Sequence, residues 1–232
     1  MFNGIVLVDK PVDWTSFDVV AKIRGVVSSA QKQRIKVGHS GTLDPFATGL
    51  LIILLGTYTK RAQEFTKLDK TYDVTLKLGE HSTTGDPEGE KSSISDRIPI
   101  SSDIETVLKK FSGELMQRPP AYSAIKINGQ RSYDLARAGK AVQLEPRAIT
   151  IFENVLLDYS YPLVRFTSHV SSGTYIRSLA EDIGEALAVG AYTTDLRRTK
   201  IGGYDIKDAI SVLKCSSTEI AERLLTSEEN KN

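Results

Sequence analysis

The run Leu50–Leu55, LLIILL, bounded by Gly49 and Gly56, is the strongest constraint on what this chain can fold into. Consecutive large apolar side chains leave no polar face, so a strand built from them must be covered on both sides. The run is also far too short to cross a bilayer as a helix. It predicts an interior strand, and at 232 residues with 40% hydrophobic side chains the chain can bury the core that such a strand requires. One mixed domain is the simplest reading, because no internal repeat and no Gly/Ser linker marks a boundary.

Other segments fall into place around that strand. GIVLVDKP at 4–11 reads as a short buried strand closed by Pro11, which cannot donate to a ladder. Thr15-Ser16 caps a helix whose apolar positions Phe17, Val20, Ile23 and Val27 recur at helical spacing. YDVTLKL at 72–78 alternates as a strand, and 79–101, rich in Gly, Ser, Thr, Pro and acid, reads as a surface loop. A short amphipathic helix follows over 103–111. Asn128-Gly129 between alternating residues signals a hairpin. Strands are expected over 149–157, 163–170 and 193–199, a helix over 174–187, and one last helix in the acidic tail. Strands and helices alternate without regular βαβ spacing, which predicts an α+β fold around a mixed sheet.

Composition excludes several classes of function. The single cysteine, Cys215, rules out an internal disulfide and a thiolate cluster. The three histidines, His39, His81 and His169, lack metal-ligand spacing, so no metal is expected. The N-terminus MFNGIVLVDK has no basic-then-apolar leader pattern, which leads us to expect a cytoplasmic protein with no membrane association. A net charge of +1 gives no global signal for nucleic acid, but the distribution is uneven. Arg118, Lys126, Arg131, Arg137, Lys140 and Arg147 face only Asp134 and Glu145 between Leu115 and Thr150, and LRRTK at 196–200 adds Arg197 and Arg198. Any one such run is ordinarily a solvated face; together they suggest a chain basic on one side.

The segment GHSGTLDPFATG at 38–49 is where chemistry could reside. Its glycines, threonines and Asp-Pro step exclude regular structure and produce a shaped loop. Taken alone, Asp44 reads as the N-cap of a helix beginning at Pro45. Because the loop runs directly into LLIILL, however, Asp44 sits at the edge of the core, where a carboxylate needs a partner. SSGTYIRSLAEDIG at 171–184 offers Arg177 in the first turn of a helix, the end at which the dipole disfavours a cation. Spacing alone leaves two readings open: an exposed arginine, or one that reaches a buried carboxylate in a bidentate pair. GTLDPFATGL also has some likeness to the nucleotidyltransferase loop G-T-F-D-x-x-H-x-G-H, but Ala47 and Leu50 stand where its histidines are required. No P-loop, Rossmann fingerprint or Gly-x-Ser-x-Gly elbow is present.

In order and spacing, GIVLVDKPVDWTS (4–16), GHSGTLDPFATGLL (38–51), the K-x-Y of LDKTYDVTLKLG (68–79), QRPPAYSAIKINGQRSYDLARAG (117–139), SSGTYIRSLAEDIG (171–184) and LRRTKIGGY (196–204) resemble the TruB family of tRNA pseudouridine-55 synthases. The resemblance implies the pseudouridine synthase fold, a long mixed sheet with flanking helices and a central RNA-binding cleft. It implies a catalytic domain over 1–212 that includes a basic thumb-like segment near 115–150, then a short acidic tail over 213–232 in place of the small PUA-like domain of many bacterial relatives. Asp44 matches the catalytic aspartate, Arg177 the arginine paired with it, and Tyr72 the tyrosine that stacks on the flipped base. His39, Tyr175 and Leu196 match residues around the nucleotide. Arg118, Lys126, Arg131, Arg137, Arg197 and Arg198 are the expected RNA-binding cations. The implied partner is tRNA, chiefly its T-arm stem-loop, met by a monomer.

The implied reaction is an isomerisation that needs no cofactor: N1–C1′ of uridine breaks and C5–C1′ forms, with proton transfer and a carboxylate as the means. Asp44 either attacks C1′ or removes the C2′ proton, and both routes stay open. Asp13 stands where the family's DKPxGxTS motif has glycine; if that position needs positive φ, Asp is among the better replacements. A rival reading is an RNA-binding or RNA-folding protein without chemistry, against which the intact Asp, Tyr and Arg set weighs.

Overall fold

A computed structural model describes residues 2–123, 125–127, 129–140, 142 and 144–226; the side chain of Arg131 is outside the description. The chain divides into two compact units, one comprising residues 1–72 with 196–232 and the other residues 73–195. No linker marks either boundary. Strands carry the chain across both, so there is no composition shift for a sequence reading to detect. Among the described residues no helix is long and apolar enough to cross a membrane.

The first unit opens with strand β1 (Gly4–Lys10) and helix α1 (Ser16–Gln31). Thr15 caps α1 by accepting from the Asp18 amide, while the Asp18 carboxylate accepts from the Thr15 amide at 2.8 Å, a reciprocal box that fixes the helix start. Val19, Val20, Ile23 and Val27 form the buried face. Phe17, expected on that face, is 63% exposed: the buried face starts at Ser16 and continues at Val19 and Val20, which turns Phe17 outward. Strand β2 (Val37–His39), strand β3 (Thr48–Leu55), a 3-10 turn over Gly56–Arg61, helix α2 (Ala62–Thr66) and the start of strand β4 (Lys70–Leu78) complete this half.

Within the second unit, residues 79–101 are not simply a surface loop. Strands β5 (Glu80–Ser82) and β6 (Lys91–Ser93) pair antiparallel, and Ser82 at the end of β5 and Asp86 in the turn between the strands are buried. Helix α3 (Ser101–Lys110) and strand β7 (Gly113–Gln117) follow. Strands β8 (Lys126–Ile127) and β9 (Gln130–Arg131) form the expected hairpin, with Gly129 at φ +85°; Asn128 lies outside the described residues. Helix α4 (Ser132–Arg137), strands β10 (Arg147–Ser160) and β11 (Leu163–Val170), helix α5 (Ile176–Ala186) and strand β12 (Ala191–Ile201) come next. The unit's strands lie in the order β4-β11-β10-β7, and the Asn154 side-chain amide on β10 donates to the Leu108 and Phe111 carbonyls at the end of α3.

The chain returns to the first unit along β12 and ends in strand β13 (Tyr204–Asp205), strand β14 (Ile210–Ser211) and helix α6 (Ser217–Glu222). The strand order here is β14-β1-β3-β12, with β2 on β3 and β13 on β12. Pairing is mixed: β1 runs antiparallel to β3 and parallel to β14, and β3 runs parallel to β12. As the continuous apolar run predicts, β3 is covered on both faces. Leu51, Ile53 and Leu55 join Val6 and Val8 beneath α1 and α6, while Leu50, Ile52 and Leu54 join Ile5 and Leu7 against Tyr58, Phe65 and Ile201. Gly49 lies at φ +106°, and a Cβ there would stand 2.3 Å from the Arg198 carbonyl oxygen, so only glycine lets β3 pair with β12 at this register. The segment after β14 belongs to the same core through Val212, Cys215 and Ile220, and Leu225 exchanges two backbone hydrogen bonds with Ile5.

Candidate active site

In the first unit the loop between β2 and β3 is fixed from several directions. The buried Ser16 hydroxyl accepts from the Leu43 amide at 2.9 Å and donates to the Leu43 carbonyl at 3.2 Å. The Asp13 amide donates to the Pro45 carbonyl at 2.9 Å. Asp13 adopts φ +64°, the conformation its place in the motif anticipates and one that costs an L-residue something to hold. From Pro45 the chain does not enter a helix. Ala47 N–H donates to the Asp44 carbonyl at 3.1 Å and β3 begins at Thr48, so Asp44 is not a helix N-cap. Asp44 itself is half-buried, on a backbone held by these contacts.

Lys10, fully buried, sits behind this loop. Its ammonium donates to the carbonyls of Pro11 (2.8 Å), Trp14 (2.6 Å) and Pro45 (3.2 Å), joining the DKP turn to the loop that carries Asp44. Burial pulls the Lys10 pKa down to about 8, opposed by the nearby carboxylates of Asp44 and Asp13. Three carbonyls match the three N–H bonds of the charged form, and the neutral amine has only two. Turnover is therefore expected to fall as pH rises through about 8, whereas a rate that stays flat to pH 9.5 would contradict the role. Stability runs the other way. A lysine whose folded pKa lies below its unfolded value binds its proton less tightly when folded, so its contribution to stability rises between pH 8 and 10.5.

Five other sequence-identified residues, Tyr72, Leu196, His39, Arg197 and Arg198, occupy this unit. Tyr72 on β4 and Leu196 on β12 are buried. His39 ends β2 half-buried, its pKa lowered by burial and by the Arg198 charge against the opposing effect of the Gly41 backbone. Lys70, two residues before Tyr72, is buried with its ammonium on the Thr66 (2.6 Å) and Leu68 carbonyls, and burial followed by the Arg198 charge lowers its pKa to about 8. Of the two arginines in LRRTK, Arg197 makes a fork-to-fork pair with Asp9 at 2.7 and 3.1 Å. Arg198, expected on an RNA-binding surface, is only 1% exposed. Its guanidinium donates to the Leu50 (2.8 Å) and Gly41 (3.2 Å) carbonyls, because adjacent residues of a strand point to opposite faces and this one points inward.

In the second unit Arg177 is the second residue of α5, a helix with no acidic residue in its first turn, and it is 5% exposed. It is not a tolerated surface cation. One guanidinium nitrogen donates to the Thr84 carbonyl at 2.9 Å and the Asp86 carboxylate at 3.1 Å, the other to the Tyr122 carbonyl at 2.7 Å. Asp86 is itself buried; it accepts at 3.0 Å from the Glu88 amide and also binds the Thr84 hydroxyl. Reading 79–101 as a solvated loop missed this carboxylate. The available signal was its Asp-Pro step, the same pair that marks Asp44. Tyr175 is the N-cap residue of α5. Arg118, Lys126 and Arg137 are exposed, as a phosphate contact would require, and Arg137 lies 5.7 Å from the Tyr133 ring centroid. Lys126, Tyr133 and Lys140 line an open groove of about 600 Å³. Among the described residues no group of three or more His, Cys, Asp or Glu side chains is placed to hold a metal ion.

Comparison with known proteins places these features in a family. Residues 28–176 match the model of the TruB family pseudouridylate synthase N-terminal domain, and 177–225 that of the tRNA pseudouridylate synthase B C-terminal domain. The tRNA pseudouridine synthase B of Burkholderia lata is 42% identical over 96% of this chain and 68% of its own length. The corresponding protein of Clostridium novyi is 41% identical over 99% and 78%, and that of Parabacteroides distasonis 46% over 85% of each. Among solved structures, a chain of a Cbf5-Nop10-Gar1 complex matches with a TM-score of 0.70 and 31% identity over 90% of this chain, which spans about half (52%) of that longer protein. Residues 28–225, including the loop that carries Asp44 and the helix that carries Arg177, thus fall within matched segments, and the chain belongs to the TruB family of tRNA pseudouridine synthases.

Proposed function

We propose that this protein converts uridine to pseudouridine at position 55, in the TΨC loop of tRNA, with Asp44 as the residue on which the chemistry depends. The observation that carries the reading is the Asp44 loop itself. An aspartate in a motif that resembles the family's is half-buried on a backbone held by Ser16, Asp13 and Lys10, the preorganisation that a nucleophile or base needs. The target uridine is turned out of the loop, as an enzyme acting on a base must arrange. Asp44 then acts on C1′ or on the C2′ proton; N1–C1′ breaks, the uracil rotates, C5–C1′ forms, and the C5 proton is lost as N1 regains one. Tyr72 holds the detached uracil, a stacking contact worth about 1–3 kcal/mol. The family resemblance assigns further roles at the nucleotide to His39 and Leu196 in the first unit and to Tyr175 and Arg177 in the second.

On this reading the exposed cations Arg118, Lys126 and Arg137 meet phosphates, joined by Arg197 and by Arg131, whose side chain lies outside the described residues. A cytoplasmic monomer acting on the T arm needs nothing further. Incubation with an unmodified T-arm hairpin, followed by nucleoside analysis, tests the proposal. We expect stoichiometric conversion of the position-55 uridine without added metal or cofactor. Tight binding without conversion would leave only an RNA-binding or RNA-folding role.

A further inference from the structure

We propose that Gln117 is a positioning residue for this reaction, its side-chain amide setting the backbone of Tyr175 and with it the first turn of α5 that carries Arg177. The inference rests on the function proposed above for its link to turnover. Gln117 is the last residue of β7, at the end of the strand order β4-β11-β10-β7, and is 4% exposed. Its carbonyl oxygen accepts from the Tyr175 N–H at 2.8 Å, and its NH₂ donates to the Tyr175 C=O at 3.0 Å. Both backbone polar groups of one residue are thus held by one side chain, the donor-plus-acceptor match of a strand pair made by an amide.

The placement matters because α5 has no cap of its own. Tyr175, its N-cap residue, makes no side-chain cap hydrogen bond, although helices ordinarily recruit Ser, Thr, Asp or Asn there. The outside support continues along the chain after Gln117: the Ser178 hydroxyl donates to the Arg118 carbonyl at 3.0 Å, and Arg177 donates to the Tyr122 carbonyl at 2.7 Å. Residues 117–122 therefore hold α5 at 175, 177 and 178, and in this set Gln117 supplies the contact to the helix entry. Asn offers the same amide donor and acceptor at a shorter reach. A change at Gln117 releases the helix entry without touching the guanidinium, so it acts on the reaction through Arg177 and Tyr175.

Gln117→Met keeps the length and removes both bonds; Gln117→Glu keeps the acceptor and sets an oxygen against the Tyr175 carbonyl. For both we expect kcat on the T-arm hairpin to fall by about 10–100-fold with KM within about threefold, the pattern of a displaced catalytic group. Both variants should fold with melting temperatures lowered by only a few degrees, Gln117→Glu the more, and amide exchange should accelerate at Tyr175 and through Ser178. The exchange experiment stands apart from activity. If wild type fails to convert the hairpin, the functional reading fails, while faster exchange in the variants still supports the positioning contact. Unchanged kcat in Gln117→Met, unchanged exchange at Tyr175, or loss of folding in both variants would each overturn the proposal; the last would mark a residue that holds the fold.

Discussion

Replacing Asp44 with asparagine is expected to lower pseudouridine formation by at least about a thousandfold while leaving affinity for the T-arm hairpin within a few-fold. The two side chains are nearly equal in size, and Ser16, Lys10 and the Asp13 amide hold the loop around residue 44 through its main-chain atoms. The substitution therefore removes the charge and the nucleophilic oxygen and leaves their setting in place. Single-turnover conversion, read alongside a binding isotherm and a melting curve, separates these effects. Near-normal turnover would remove Asp44 from the chemistry, and a collapse of binding or stability would show that it serves the fold instead.

The second large effect is expected at Asp86. Asp86→Ala takes the carboxylate from a guanidinium that is almost wholly out of water, and breaking a buried pair from one side costs about 3 kcal/mol or more. In a chain of this size that lowers the melting temperature by roughly 6–12 °C, at about 2–4 °C per kcal/mol. Turnover should fall as well, because Arg177 loses one of the groups that orient it; Arg177→Ala breaks the same pair from the other side and should lose both stability and turnover. Differential scanning calorimetry of Asp86→Ala against Asp86→Asn checks the electrostatic origin: asparagine keeps the hydrogen bond and should recover part of the loss. A melting temperature within 2 °C of wild type for the alanine variant would mean that the pair does not hold the hairpin between β5 and β6.

Pattern made the architecture legible where one face or both faces of an element are buried. LLIILL announced a strand covered twice, and the two core clusters that alternate along it are the physical form of that signal. The box at Thr15 and Asp18 and the hairpin at Gly129 follow from local hydrogen bonding and φ, which are properties of a few adjacent residues. Contacts made across long stretches of sequence were not legible in that way. Arg198 looked like one of a row of surface cations, and only its strand phase against β3 turns it inward to Leu50 and Gly41. Asp86 looked like one acid among many in a polar loop, and only the return of the chain as α5, ninety-one residues later, gives it Arg177. Gln117 carries no local signal either, since an amide at a strand end is commonplace until a helix start is set against it.

The first unit is assembled from the two ends of the described chain, with β1 lying between β3 and β14 and bonded at Ile5 to Leu225. During synthesis, β1 and β3 leave the ribosome more than 150 residues before β14 does, whereas residues 73–195 emerge as one uninterrupted stretch. A nascent chain whose emerged part ends at residue 195 can form every contact internal to the second unit and lacks the strands that close the first, leaving one edge of β1 without its partner β14. Ribosome-bound chains of increasing length should accordingly gain protease resistance in two steps, the middle of the sequence before its beginning.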